Sequence, residues 1–134
     1  MKNNKYILLF ILLATSFNAL DAQSRKQKGL IKLAKQEFNQ LRFAYAIPVI
    51  KKYLLTEPKD TSALLLLAKS YQNVNQIDSA VKYYDLANLS GVKYNSDIAE
   101  SYAMLGNYDK AIQIYKQLID SNKTKLADAR FFGF

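Results

Sequence analysis

Small and apolar residues recur along this chain in a register that repeats three times. With Ala46, Ala80 and Ala111 aligned, the spacing is 34 residues from the first to the second and 31 from the second to the third. Ala34, Ala68 and Ala99 then fall twelve residues earlier, each preceded by a bulky residue: Leu33, Leu67 or Ile98. Phe43, Ile77 and Tyr108 stand three residues before the first set of alanines, and Ile50, Tyr84 and Tyr115 four after it. The spacing inside each unit is helical. Leu64, Leu65, Leu67, Ala68 and Tyr71 form one apolar stripe, and Ala80, Val81, Tyr84 and Ala87 form a second that faces it. The pattern predicts three helical hairpins, with helices near 26–39, 43–55, 61–73, 77–89, 95–104 and 108–121.

Local signals mark the boundaries. Asp60 or Thr61, following Pro58, is placed to cap the third helix, because a side-chain oxygen satisfies amide groups that have no partner within the helix. Gly91 closes the second hairpin, while Asn75 with Gln76 and Gly106 with Asn107 make the tight links inside the second and third. Pro48 falls in the first two turns of its helix, where a missing amide hydrogen costs least. The alanines let helices approach closely and admit neighbouring aromatic side chains. Tyr71, Tyr84, Tyr102, Tyr108 and Tyr115 all take core positions of the repeat, where a buried ring still needs a partner for its hydroxyl.

A unit of two antiparallel helices with this period resembles the tetratricopeptide repeat. The third unit matches most closely, with Ala99, Tyr102, Gly106, Tyr108, Ala111 and Tyr115 in place. The second keeps Ala68, Tyr71, Asn75, Ala80, Tyr84 and Ala87. The first departs at Glu37, where the family has an aromatic, and at Leu41, where it has a turn glycine, but retains Ala34, Phe43, Ala46 and Pro58. The resemblance implies an all-α fold: a solenoid of antiparallel helix hairpins within residues 23–125, with repeats at about 27–60, 61–91 and 92–125. Continuing the register puts Phe132 and Gly133 at the bulky-small pair of a fourth unit, so residues 126–134 read as the start of a further helix or a truncated repeat. The three phenylalanines of that stretch either fold back on the last hairpin or mark a chain cut from a longer protein, and truncation is the expectation.

Residues 1–22 read as a secretory signal peptide. Lys2 and Lys5 precede an apolar run from Tyr6 to Ala14, and a polar stretch leads to a small residue at Ala22, after which cleavage is expected. The run is far shorter than the roughly 20 residues that a membrane-crossing helix needs. The expected location is the periplasm or the periplasmic face of the outer membrane. The order of leader, Lys-rich helix (RKQKGLIKLAKQEF) and FAYAIPVIKKYLLTEP before the repeats resembles the amino-terminal region of Bacteroidetes periplasmic PorE and OmpA-like envelope proteins. That resemblance implies assembly or anchoring of an envelope complex, such as a secretion or gliding machine. Peptidoglycan association would come only through a domain beyond Phe134.

Composition narrows the chemistry. Half of the 134 residues are hydrophobic and 22% are charged, which suits one small folded domain. With no Cys and no His there is no disulfide, thiolate nucleophile, imidazole base or zinc site of the usual ligands. Phosphate-loop and nucleophile motifs are also missing, so the chain reads as non-catalytic, with no cofactor and no metal. The net charge of +8 sits at the front: residues 1–52 hold ten Lys or Arg against Asp21 and Glu37, and the remainder holds nine of each sign. A second functional reading follows, electrostatic docking of the basic segment 25–52 to an anionic envelope polymer or membrane surface. Export argues against nucleic acid.

In tetratricopeptide arrays the first helix of each hairpin lines a concave groove. The resemblance assigns that lining to Lys28, Ile31, Lys35, Phe38, Asn39, Leu65, Lys69, Gln72, Asn73 and Glu100, with Ser96 and Met104 alongside. Its partner would be an envelope protein or peptide, acidic or extended, held by Lys35, Lys69, Asn39 and Asn73 with apolar contact from Phe38 and Leu65. The Lys and Asn spacing of chaperone-type carboxylate clamps is missing. Asp97 and Glu100 read as dipole partners at a helix start rather than as a catalytic pair.

Overall fold

The computed structural model describes residues 22–131, with side chains placed through residue 123. The leader up to Asp21 and the Phe132–Gly133 pair of the anticipated fourth unit lie outside the described residues. The chain is built from α1 (residues 22–39), α2 (Phe43–Leu54), α3 (Thr61–Asn73), α4 (Ile77–Leu89), α5 (Ser96–Met104) and α6 (Tyr108–Phe131), with no strand among the described residues. From α2 onward each helix packs mainly on its neighbours in sequence, the arrangement of a solenoid. Two helices differ from expectation. α1 is already helical at residue 22, and α6 runs 24 residues to Phe131 instead of ending near 121. No Gly or Pro interrupts the chain between Asn107 and Gly133, so the polar stretch after Ile119 continues the helix, and no break separates it from the segment read as a further helix.

The two sets of alanines are buried in all three hairpins. Ala34, Ala46, Ala68, Ala80 and Ala99 are fully buried, Ala111 nearly so, and all six belong to one continuous core. Ile50, Leu67, Tyr84, Ile98 and Ile114 fill the space that these small residues leave. Tyr71, Tyr84 and Tyr102 are buried as their positions require, but Tyr108 is 65% and Tyr115 41% exposed. Both project from α6 on a side that no later hairpin covers among the described residues.

One backbone device closes every hairpin. Leu41 (φ 59°), Asn75 (φ 59°) and Gly106 (φ 83°) all adopt the left-handed conformation. The next amide in each case, of Arg42, Gln76 or Asn107, donates at 2.9 Å to the carbonyl of Glu37, Tyr71 or Tyr102. This is the helix-ending turn that favours Gly and tolerates Asn. In the first hairpin Leu takes the same conformation with a branched side chain, against its own preference. The starts of α3 and α5 are capped as well: Asp60, rather than Thr61, accepts from the Ala63 amide at 3.0 Å, and Asn95 accepts from the Ile98 amide at 3.1 Å.

Candidate functional site

The first helices of the hairpins share one concave side. Phe38 from α1, Phe43 at the start of α2, Lys69, Gln72 and Asn73 from α3, and Asp97, Glu100 and Met104 from α5 line a cleft of about 440 Å³. Alanine at the helix-to-helix contacts brings these elements close enough for their outer side chains to share it.

The polar lining is already organised by internal bonds. Lys69 Nζ lies 2.6 Å from Asp97 Oδ2, joining α3 to α5 across the floor. The Tyr84 hydroxyl donates to Gln72 Oε1 at 2.9 Å, which leaves the Gln72 amide N–H groups for the cleft. Asn73 Nδ2 donates to the Lys69 carbonyl at 2.8 Å, which leaves the Asn73 side-chain oxygen as an acceptor. Burial, reinforced by the negative charges of Asp97 and Glu100, raises the Tyr84 phenol well above its ordinary value, so it stays a neutral donor. Lys69 set against Asp97 and Glu100 leaves the lining one net negative charge. At the other end Phe38 and Phe43 meet edge to face, ring centroids 5.1 Å apart, and with Met104 they make the apolar part.

Of the ten residues read as groove lining, the cleft brings together Phe38, Lys69, Gln72, Asn73 and Glu100. Lys28 and Ile31 instead line a separate hollow of about 340 Å³ with Tyr53 and Glu57. Lys35 and Asn39 are exposed on α1 outside the cleft, and half-buried Leu65 packs against the core. Of the lysines in that set, the cleft is lined by Lys69 alone. Lys69 is engaged by Asp97, and the other lysines of the proposed set point elsewhere. Phe43 and Asp97 were missing from the sequence-derived set. Phe43 was legible as the residue after the turn, but the reach of Asp97 to Lys69 depends on how α3 and α5 are spaced.

Glu37 is another such case. It stands where the later repeats have Tyr71 and Tyr102, is nearly buried, and has Arg42 Nε 2.8 Å from its Oε2. A carboxylate occupies an aromatic position because the arginine of the following turn reaches back to it. Among the described residues no group of His, Cys, Asp or Glu is arranged to hold a metal ion. No helix there is long and apolar enough to cross a membrane. What the cleft offers is hydrogen-bonding groups, a carboxylate and an apolar edge.

Comparison with known proteins agrees with this geometry. Models of the tetratricopeptide repeat match residues 61–88 and 97–124, the second and third hairpins. The second and third hairpins carry tetratricopeptide repeats. A TPR repeat-containing protein of Methanocaldococcus jannaschii is 31% identical over 98 residues, which is 67% of this chain and 31% of that protein. The chain thus spans under a third of the length of that curated relative. Two solved mutant forms of MamA share the fold at 18% identity. Their TM-scores are 0.66 and 0.65, covering 72% and 71% of this chain and 55% and 72% of theirs. The hairpins and the concave cleft are thus features of a tetratricopeptide array, a fold that in general serves protein–protein interaction without catalysis.

Proposed function

We propose that this chain is a non-catalytic scaffold that holds an extended peptide segment of a partner protein in its concave cleft, within the bacterial cell envelope. The observation that carries the binding mode is the cleft itself. Glu100 stands exposed beside an Asp97–Lys69 pair that is already closed, and the Phe38–Phe43 edge lies at the other end. A segment that presents a cation or amide donors to Glu100 and Asn73, and an apolar side chain to the phenylalanines, is complementary to that lining. The favoured ligand is therefore basic and extended rather than acidic. The envelope setting rests on the leader pattern of residues 1–22, and attachment to an OmpA-like peptidoglycan-binding partner or domain is the finer form of the same reading.

Fluorescence anisotropy with two extended peptides, one alternating Lys and Leu and one alternating Glu and Leu, tests the binding mode. The Lys-Leu peptide should bind more tightly, Glu100→Lys should reverse the preference, and Phe38→Ala should weaken binding of both. Equal binding of the two peptides, untouched by Glu100→Lys, would refute it. Amino-terminal sequencing of the protein from a fractionated envelope tests the location, with Gln23 the expected first residue. The basic docking alternative is distinguished by salt: vesicles rich in phosphatidylglycerol would release the chain as ionic strength rises, whereas the apolar anchors should persist.

A further inference from the structure

The open side of α6 has a pattern of its own. Tyr108, Ile112, Tyr115 and Ile119 are exposed by 65%, 50%, 41% and 53%, and they recur at spacings of four, three and four residues. That is the seam of a two-helix coiled coil, with Tyr108 and Tyr115 at one core position and Ile112 and Ile119 at the other. Ala111 and Ile114 are buried toward the chain's own core, so the seam faces outward. Asp109 and Lys116 flank it, both exposed and seven residues apart at the same heptad position.

We propose that α6 pairs antiparallel with α6 of a second copy of this chain, forming a two-fold symmetric dimer. The proposal goes beyond the cleft and does not depend on it. Charge order selects the occupant and its direction. In an antiparallel pair centred between Gln113 and Ile114, Tyr108 meets Ile119 of the second copy and Ile112 meets Tyr115. All four apolar residues of each helix are then covered at once. In the same register Asp109 of each copy lies on the flank of the seam nearest Lys116 of the other, offset along the axis by about 3 Å, within reach of a lysine side chain, giving two ion pairs related by the two-fold axis. A parallel pair would put Asp109 and Lys116 of the two copies on opposite sides of the seam, where neither ion pair can form. An interface in which the same surface meets itself also closes after two copies, so the seam is satisfied without building filaments. One helix face is smaller than the roughly 800 Å² per partner of a standard interface, so the dimer is a weak one.

The chain has no cysteine, which allows an unambiguous test. Asp109→Cys and Lys116→Cys variants of the chain, each oxidised alone, should stay largely uncrosslinked. Mixed together they should give a disulfide-linked heterodimer. Gln117→Cys, on the side of α6 that faces the α4–α5 connection, should not crosslink with either. In sedimentation equilibrium, Asp109→Lys or Lys116→Asp alone should weaken self-association at least about tenfold, and the double swap should restore it. Association driven by the leader would be blind to all these changes. No heterodimer in the mixture, or charge reversals without effect, would overturn the proposal and leave the seam to a different protein or to a further repeat.

Discussion

The Tyr53 hydroxyl donates a 2.7 Å hydrogen bond to Asp60 Oδ2, tying the end of α2 to the residue that caps α3. One carboxylate thereby closes a turn and starts a helix. The hydrogen bond to Asp60, with burial and the Asp60 and Glu57 charges, pushes the Tyr53 phenol up from 10.0 to about 12. Burial acts to raise the Asp60 carboxyl, but the Tyr53 hydrogen bond, the Ala63 and Ser62 amides and the charge of Lys35 together hold it below its ordinary value.

Stability should therefore fall at both ends of the pH scale. The contribution of neutral Tyr53 is complete below pH 10.0 and is lost as pH rises toward about 12, because the folded state keeps a proton that the unfolded chain releases. The contribution of Asp60 is present above its ordinary value of 3.8 and is lost as pH falls through its lowered folded value. Thermal unfolding across pH should show both slopes. Tyr53→Phe should flatten part of each and cost about 1 to 2 kcal/mol at neutral pH.

Leu41→Gly should stabilise the chain by about 0.5 to 1 kcal/mol, since it removes a side chain from a left-handed backbone position in an exposed turn. Gly106→Ala, at the equivalent turn, should destabilise by about 1 kcal/mol although nothing lies within 4 Å of the added carbon. Urea unfolding of the two variants checks the pair. Opposite signs at equivalent positions would be difficult to explain by packing.

Ala80→Leu should cost about 1 to 3 kcal/mol, because Ala80 is fully buried where α4 packs against its neighbours and no space exists for three more carbons. Far-ultraviolet circular dichroism should still show helix at low temperature, with a lowered unfolding midpoint.

Asp97→Asn should change stability by less than about 0.5 kcal/mol, since both partners of the Lys69–Asp97 pair are partly exposed and solvent screens them. It should nevertheless alter recognition. Lys69 is released into the cleft, and preference should move away from the Lys-Leu peptide toward the Glu-Leu one in the anisotropy measurement.

The fold was legible because its determinants are local and repeated. Small residues at Ala34, Ala68 and Ala99 and turn formers at Asn75 and Gly106 carry their meaning at fixed spacing, and α3 and α4 begin and end where that spacing puts them. The cleft was only half legible. Phe38, Gln72 and Glu100 followed from repeat position, but the sign of its charge did not. It depends on Lys69 meeting Asp97 from a different hairpin and on Lys28 turning toward Tyr53 and Glu57. Tyr108 and Tyr115 were misread for the opposite reason. Their positions become core positions where another hairpin packs on α6, and none does so among the described residues.

Because α2 to α6 pack mainly on the helices adjacent in sequence, the curvature of the array is set chiefly junction by junction, with the Lys69–Asp97 pair reaching from α3 to α5. Small rotations at each helix junction would add up along the axis, so the concave side would widen or narrow as a spring does. A ligand that spans α1 to α5 would then be gripped by the elasticity of the whole array as well as by the side chains it touches.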